Sequence, residues 1–321
     1  MTSTLRAGLV LAVSFVVGSA GLASATGGSG TYQKVSGVSG TLNFIGSDTM
    51  NNLMTLWGEA FQQVYPSVKV QGEGKGSSTA PPALIAGTAQ LGPMSRPMKS
   101  SELDEFEKKF GYKPLEIKVA LDALAVFVQK DNPVKQLTLQ QVDAIFSKTR
   151  KGGFATDITT WGEAGATGAL ASKPISLFGR NSASGTYGYF KEHALWKGDF
   201  KDTVKEQPGS ASVVQGVEKD PTAIGYSGMG YVTTGAHAIA IAAADGKPFV
   251  DPKLENVLSG EYPLSRFLYV YVNRTPGKPM DPLVKEFLAF VLSQGGQAQT
   301  EKDGFIAVPE TIAKTELAKL Q

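Results

Sequence analysis

The sequence predicts an α/β protein with mostly parallel strands and helices on both faces of each sheet. Two observations lead to this prediction. Short apolar runs of strand length alternate almost throughout the chain with segments whose apolar residues recur at helical spacing. The chain has 321 residues, of which 42% are hydrophobic and 19% charged, so it can bury the cores of two domains or of one large one.

The charge balance and the cysteine count exclude several classes of protein. The formal net charge is +2, so no strong general field attracts nucleic acid or an anionic membrane. The sequence contains no cysteine, which rules out a lipid-anchored lipoprotein and means that the fold needs no disulfide. Any anion binding must therefore come from local geometry.

The N-terminal residues have the pattern of a secretory signal peptide. Arg6 carries the only side-chain charge before Lys34, and an apolar run over residues 7–18 leads to small residues that end at Ala25. We predict cleavage after about Ala25 and export of the mature chain. A retained membrane anchor is the weaker alternative, because the apolar run is short and interrupted by glycine. Residues 26–39, rich in Gly and Ser, predict a flexible lead-in outside the fold.

The first third of the chain predicts three strands, each followed by a helix. Ser47 or Asp48 is expected to cap the first helix, and Ser101 the third. The predicted strands are residues 40–45, 67–71 and 90–95, and the predicted helices are residues 50–64, 81–86 and 101–110.

The apolar run over residues 115–128 is long for a single strand. We predict two strands that cross between domains near Asp122, with residues 265–272 as the return crossing and hinges near residues 122–126 and 260–266. The remaining predicted helices are residues 138–146, 187–196, 212–217, 281–293 and a last one that begins near Pro309, and the remaining strands are residues 174–178 and 223–227.

Three predicted strand-to-helix turns share one composition of small residues and hydroxyls. They are Gly46-Ser-Asp-Thr-Met50, Gly74-Lys-Gly-Ser-Ser-Thr79 and Arg180-Asn-Ser-Ala-Ser-Gly-Thr186. A helix N-terminus has unpaired N–H groups and the positive end of the helix dipole, which together favour an anion. Two of the turns precede Leu115 and one lies well beyond it. We therefore expect helix ends from two lobes to converge on one anion, although each turn alone could be a simple helix cap.

The third turn carries the strongest indication of an anion. Ser184 and Thr186 supply hydroxyl donors, Gly185 allows an anion to approach the backbone, and Arg180 supplies a rigid positive fork.

Several catalytic motifs are incomplete in this sequence. Residues 74–77 do not complete a P-loop, and Gly225-Tyr-Ser-Gly-Met229 lacks the last glycine of a serine-hydrolase elbow. The two histidines, His193 and His237, have no metal-ligand spacing. A nucleophilic triad, a zinc site and a cofactor site are therefore not expected.

The same turns, in the same order, are found in a known family. The chain resembles the PstS family, the periplasmic phosphate-binding proteins of ABC-type phosphate transporters, from about Gly40 to Pro309. The Arg-x-x-x-Ser-Gly-Thr motif is the most specific part of the resemblance. The segments that carry the resemblance are 46–50, 76–78, 137–146, 180–186 and 223–226.

The resemblance implies a type II-like, two-lobe periplasmic binding protein that closes on its ligand. Lobe I would comprise residues 40–123 and 264–321, and lobe II residues 124–263. The ligand would be inorganic phosphate in the interlobe cleft, and the partner an inner-membrane ABC phosphate permease. We expect a monomer without enzymatic activity, metal, cofactor or nucleic acid.

The resemblance also implies which residues hold the phosphate. Hydroxyls, backbone N–H groups and one guanidinium would donate to it from both lobes. Ser47 and Ser78, in the same turns, are weaker candidates. The implied ligands are Thr49, Met50, Ser77, Arg180, Ser184, Gly185 and Thr186.

Two departures from the family affect the choice of anion. Well-known members carry an aspartate that accepts the proton of HPO4²⁻ and rejects sulfate, and here Ser95 stands in its place. They also carry an aspartate two residues after the binding arginine, where this chain has Ser182. We hypothesise that Asp48 or Asp122 accepts the proton. Arg96 would add a second positive group or, alternatively, form a salt bridge.

Other functions stay open on the sequence alone. A binder of sulfate, molybdate or phosphonate would need similar turns. A secreted phosphatase or an adhesin could use the same scaffold.

Overall fold

The computed structural model describes residues 27–321 and confirms the α/β class. The predicted signal peptide, residues 1–25, lies outside the described residues. Between residues 27 and 321, no helix is both long enough and apolar enough to cross a membrane. The strands are β1 (Gly40–Gly46), β2 (Val68–Gly74), β3 (Gly92–Met94), β4 (Leu115–Gln129), β5 (Gln136–Thr138), β6 (Ser176–Arg180), β7 (Lys205–Gln207), β8 (Ala223–Gly228), β9 (Ala236–Ala238), β10 (Ala240–Ala242) and β11 (Ser265–Val272).

Helices follow most of these strands, as the alternation in the sequence predicts. Short 3₁₀ turns lie at residues 77–79, 168–170 and 229–231. The α-helices are α1 (Asn51–Val64), α2 (Ala80–Ala86), α3 (Ser100–Phe110), α4 (Leu139–Phe146), α5 (Gly185–His193), α6 (Ser210–Lys219), α7 (Leu254–Leu258), α8 (Pro282–Val291), α9 (Gln294–Lys302) and α10 (Glu310–Ala318).

The predicted caps of the first and third helices are wrong. Helix α1 has Met50 at its N-cap, so Ser47 and Asp48 lie before it. Helix α3 begins one residue before Ser101, and its first turn is closed by the Glu102 carboxylate, which accepts the Lys99 N–H at 2.8 Å. An acidic side chain at the third helical position that reaches back to the N-cap N–H satisfies one free donor at this end of the helix.

The sheets are mixed, whereas the prediction was of mostly parallel strands. The largest sheet has the order β3-β11-β4-β8-β6-β7, with β9 paired to β4. The pairs β1–β2, β5–β10, β6–β7 and β6–β8 are parallel. Strands β4 and β11 run antiparallel to each of their partners, because they cross the molecule in opposite directions.

Strand β4 is one continuous strand of 15 residues instead of the two that its length suggested. It pairs with β11 as far as Ala123 and with β8 from Leu124 onward. The change of partner next to Asp122 agrees with the predicted position of the crossing. The strand is buried along most of its length, which explains why its apolar run is continuous.

Two large apolar clusters lie on either side of this change of partner. The first core contains Trp57, Phe61 and Phe287 and takes Ala120 from β4. The second core contains Phe146, Trp161 and Phe190 and takes Leu124 from β4. The lobe boundaries at 123/124 and 263/264 stay a prediction.

Residues 27–39 lie against the first core, contrary to the prediction of a lead-in outside the fold. The Tyr32 ring packs edge-on against Phe61 and Phe290, and its hydroxyl donates to Glu286 at 2.7 Å. The half-buried Tyr32 ring, the buried Val38 side chain and backbone hydrogen bonds from Gly28 and Ser29 together hold this Gly- and Ser-rich segment in place.

Candidate anion-binding site

The three predicted turns meet in the structure. The Thr49 and Thr186 hydroxyls lie 2.8 Å apart, which joins the first turn to the third. The Ser78 N–H donates to the Ala183 carbonyl at 3.1 Å, which joins the second turn to the third. Thr49, Ser77 and Thr186 are almost fully buried. Hydroxyls from widely separated parts of the chain therefore form one enclosed polar cluster.

Two glycines allow this close approach. A Cβ atom on Gly185 would lie 2.2 Å from the Ser77 hydroxyl and 2.5 Å from the Ser95 hydroxyl. Gly76 has φ of +116°, and a Cβ there would lie 2.5 Å from the Ala183 carbonyl oxygen. Any larger residue at either position would hold the turns apart.

The start of α5 is organised by Ser184. Its hydroxyl accepts the Thr186 N–H at 3.1 Å and the Tyr187 N–H at 3.4 Å, as an N-cap does. Ser184 therefore caps helix α5, which is the simpler of the two roles expected for this turn. Its hydroxyl hydrogen remains available as a donor at the positive end of the helix.

Arg180 brings a buried positive charge to the cluster from the end of β6. It is 1% exposed, and its Nη1 donates to the Ser210 hydroxyl at 2.7 Å. Its Nη2 lies 3.1 Å from Asp48 Oδ2. Burial lowers the pKa of the guanidinium from its ordinary value, and the Asp48 carboxylate opposes that shift. Arg180 Nε has no hydrogen-bond partner among residues 27–321.

Asp48 supplies the carboxylate that balances Arg180. Its Oδ2 also accepts the Ser210 N–H, at 2.8 Å, in the first turn of α6. The Asp48 side chain is 23% exposed, whereas Ser182, where the family carries an aspartate, is exposed. The counter-ion of Arg180 thus comes from the first turn of the chain instead of from its own turn.

A second buried arginine, Arg266, was not predicted as a site residue. Its Nε and Nη2 donate to Asp122 Oδ2 at 2.9 and 2.7 Å. Nη2 also donates to the Thr186 hydroxyl at 3.0 Å, and Nη1 donates to the Ser95 carbonyl at 3.0 Å. One guanidinium therefore links both crossing strands to the polar cluster. The sequence signal that could have identified Arg266 is its charge inside the apolar run 265–272.

Ser210 was also missed, because α6 begins two residues earlier than predicted. Its hydroxyl lies 3.4 Å from that of Thr49. The segment Pro208-Gly-Ser-Ala-Ser212 has the same small-residue composition as the three turns, so that pattern could have identified it.

The other candidates are buried and already have hydrogen-bond partners. The Met50 N–H donates to the Ser47 carbonyl at 3.3 Å. The Ser95 N–H donates to the Ser77 hydroxyl at 3.0 Å. Arg96 forms a two-pronged ion pair with Glu102, at 2.7 and 2.8 Å, and also donates to the Ser78 hydroxyl at 3.2 Å. This ion pair is the salt bridge that was predicted as the alternative role of Arg96.

Several buried polar atoms of this cluster lack a partner among the described residues. They are Ser47 Oγ, Arg180 Nε and Asp122 Oδ1. Buried polar groups are costly unless they are paired. Across residues 27–321, no group of three or more His, Cys, Asp and Glu side chains could hold a metal ion. The cluster thus combines hydroxyls, N–H groups and two guanidiniums that can bind an anion.

Comparisons with known proteins agree with this chemistry. Residues 31–294 match the model of the PBP superfamily domain. The chain is 56% identical to the phosphate-binding protein PstS of Pseudomonas aeruginosa over 316 residues, which cover 97% of this chain and 98% of that protein. It is 30% identical to the PstS of Staphylococcus haemolyticus over 317 residues, which cover 97% of this chain and 94% of that protein.

Solved structures also match. A putative phosphate ABC transporter substrate-binding protein from Clostridium perfringens, with bound phosphate, has a TM-score of 0.69 and 28% identity over 84% of this chain and all of that one. An ABC-type phosphate transport receptor from Vibrio cholerae has a TM-score of 0.63 and 26% identity over 83% of this chain and 99% of that one. These matches confirm the two-lobe architecture. The chain therefore belongs to the PstS family of phosphate-binding proteins, within the PBP superfamily.

Proposed function

We propose that this chain is an exported binding protein that closes on inorganic phosphate and delivers it to an ABC permease. The observation that carries the proposal is the buried guanidinium of Arg180, whose Nε has no partner within the described part of the chain, beside buried hydroxyls from other turns. The printed names of the relatives support phosphate as the anion. The family is one of substrate-binding proteins, and this chain is a binding protein, not an enzyme.

The proposed phosphate donors form two sets, one on each side of the anion, which we call the two jaws. Thr49, Met50 and Ser77 would donate from the first two turns. Arg180, Ser184, the Gly185 amide and the Thr186 hydroxyl would donate from the third, and we add Ser210 to this jaw. A useful scavenger needs a Kd near ~1 µM, which is about −8 kcal/mol. Each hydrogen bond to a charged group contributes about 1.5–3 kcal/mol, so this set can supply that after the costs of ordering and closure.

Binding and closure would be one event. The contacts Thr49–Thr186 and Ser78–Ala183 both join turns that the family's two-lobe plan assigns to opposite lobes. An anion held by both jaws adds further bonds between them and excludes water, which strengthens each bond. The permease would then receive the anion from the closed protein.

The close fit favours a free oxyanion over a substituted one. The backbone of Gly76 and the α-carbon of Gly185 lie against the opposing turn, with no space for even one additional carbon atom at either position. A phosphonate or a phosphate ester would carry a substituent into this contact. Phosphate without a substituent meets the geometry better.

Export, the permease partner and the monomeric state belong to the same proposal. The family's members are exported proteins, and residues 1–25 of this chain have the signal-peptide pattern. We expect the mature protein to begin near Thr26. N-terminal sequencing of protein recovered from outside the cytoplasm checks this, and a mature chain that still begins at Met1 would contradict it.

Calorimetry of the mature protein tests the ligand directly. We expect saturable phosphate binding in the micromolar range or tighter, because the site combines many charge-assisted donors. Sulfate and molybdate titrated in the same buffer are the controls, and both should bind more weakly. The absence of heat with phosphate below millimolar concentration, or tighter binding of either control anion, would overturn the proposed ligand.

Substitution Arg180→Ala tests the central donor. Losing a buried charged donor should weaken phosphate binding at least roughly 30-fold, from the cost of about 2–5 kcal/mol for truncating a buried charge contact. Arg150→Ala, in the loop after α4, is the matched control and should leave the Kd unchanged. If Arg180→Ala binds phosphate as the parent does, the pocket has been misplaced.

Substitution Gly185→Ala tests the contact between the jaws. Its Cβ would collide with the Ser77 and Ser95 hydroxyls, so closure around the anion should be impaired and the Kd should rise roughly 5- to 150-fold, a cost of about 1–3 kcal/mol for overpacking. Gly295→Ala is the control, because a Cβ there has only ordinary contacts, the nearest at 3.7 Å. Equal phosphate affinity of the two variants would show that the jaws need not touch.

A further inference from the structure

Tyr231 lies between the apolar clusters of the two lobes. It ends the 3₁₀ turn of residues 229–231, which follows β8. Its ring packs against the first core, edge-on to Phe305 at a centroid distance of 6.4 Å. The same ring packs against a smaller apolar cluster of predicted lobe II, which contains Phe127 of β4 and Val214 of α6. One side chain therefore contacts both sides of the cleft.

The Tyr231 hydroxyl reaches the backbone of the first of the three turns, residues 46–50. It donates to the Thr49 carbonyl at 2.9 Å and to the Asp48 carbonyl at 3.3 Å. Burial raises the pKa of this hydroxyl above its ordinary value, and the nearby Asp48 carboxylate raises it further. The hydroxyl therefore keeps its proton and remains a donor at neutral pH.

The two carbonyls that Tyr231 holds orient N–H groups of the proposed site. The peptide bonds after Asp48 and Thr49 are trans, so each directs its C=O and its N–H in opposite directions. A hydroxyl that holds both carbonyls on one side thus holds the Thr49 and Met50 N–H groups on the other side. The Met50 N–H and the Thr49 hydroxyl are both proposed phosphate donors.

The backbone beside Tyr231 lies directly against the turn that follows α9. A Cβ atom on Gly230 would lie 2.7 Å from the Asp303 carbonyl oxygen, and one on Gly304 would lie 2.9 Å from the Gly230 α-carbon. We call this contact, of residues 229–231 with residues 303–305, the seam. None of these residues belongs to the proposed donor set, so the seam joins the lobes through contacts that need no anion.

We propose that Tyr231 is a positioning residue for phosphate binding, whose hydroxyl stabilises the closed arrangement of the lobes and orients the first turn toward the anion. The inference rests on the proposed function and adds to it a residue that does not touch the ligand. Because the hydroxyl reaches Thr49 only where the lobes meet, its contribution is made after the anion has entered the cleft. Losing it should change the rate at which phosphate leaves, not the rate at which it arrives.

The substitution Tyr231→Phe tests the proposal, because it removes the hydroxyl and keeps the ring. The Kd for phosphate should rise roughly 2- to 13-fold, the worth of one net hydrogen bond. Stopped-flow measurements with phosphate should show that the whole rise comes from faster dissociation, with an unchanged association rate.

Tyr262→Phe is the matched control. The buried Tyr262 hydroxyl donates to the Leu124 carbonyl at 3.0 Å, within predicted lobe II, so this variant loses a bond of the same kind away from the seam. It should lower the thermal stability and leave both rates unchanged. A Tyr231→Phe protein that releases phosphate as slowly as the parent, or no faster than Tyr262→Phe, would overturn the proposal.

A second variant tests the seam without removing a hydrogen bond. In Gly230→Ala the added methyl group meets the Asp303 carbonyl, so the lobes should close less fully and phosphate should dissociate roughly 5- to 150-fold faster, as the cost of overpacking predicts. Gly295→Ala is again the control and should release phosphate as the parent does. Equal release rates of these two variants would overturn the role of the seam while leaving phosphate binding intact. A parent protein that binds no phosphate would overturn the proposed function instead.

Discussion

The rest of the site depends on the burial of the Arg180 guanidinium. A charge removed from water must be compensated by partners that have little freedom to move. Here the partners come from Asp48 in the first turn and Ser210 in the first turn of α6. Segments more than a hundred residues apart in the sequence are thereby fixed in one place. The hydroxyls of the first and third turns meet there as a consequence.

Two ion pairs balance the formal charges around the site. Arg180 pairs with Asp48 and Arg266 pairs with Asp122, so a bound dianion would add negative charge to a neutral cluster. Its stabilisation must then come from oriented dipoles, namely hydroxyls, backbone N–H groups and the start of α5. This arrangement agrees with the modest net charge of +2. It also makes binding depend on closure, because dipoles act only at contact distance.

The sequence alone predicted the α/β class, most of the helices and strands and the meeting of the three turns. These predictions succeed because local composition determines strands, helix starts and glycine turns. The ion-pair partners could not be predicted in the same way. Asp48 was expected to cap α1, but its carboxylate is bound by Arg180 from a distant turn. Asp122 and Arg266 face each other only because β4 and β11 pair in that register.

Other differences have equally specific causes. The apolar run 115–128 was predicted to be two strands because few strands are as long as the 15 residues of β4. Ser210 was left out because the first two residues of α6 were assigned to the preceding loop. The lead-in was excluded on composition, whereas one aromatic side chain, Tyr32, anchors it.

A high-resolution crystal structure of the mature protein with phosphate tests the central claim most directly. We expect one phosphate oxygen to accept from Arg180 Nε and the others to accept from the hydroxyls and backbone N–H groups of the three turns. The jaws should be closed around the anion at the Thr49–Thr186 contact. A phosphate bound elsewhere on the surface, or one that makes no contact with Arg180, would contradict the account.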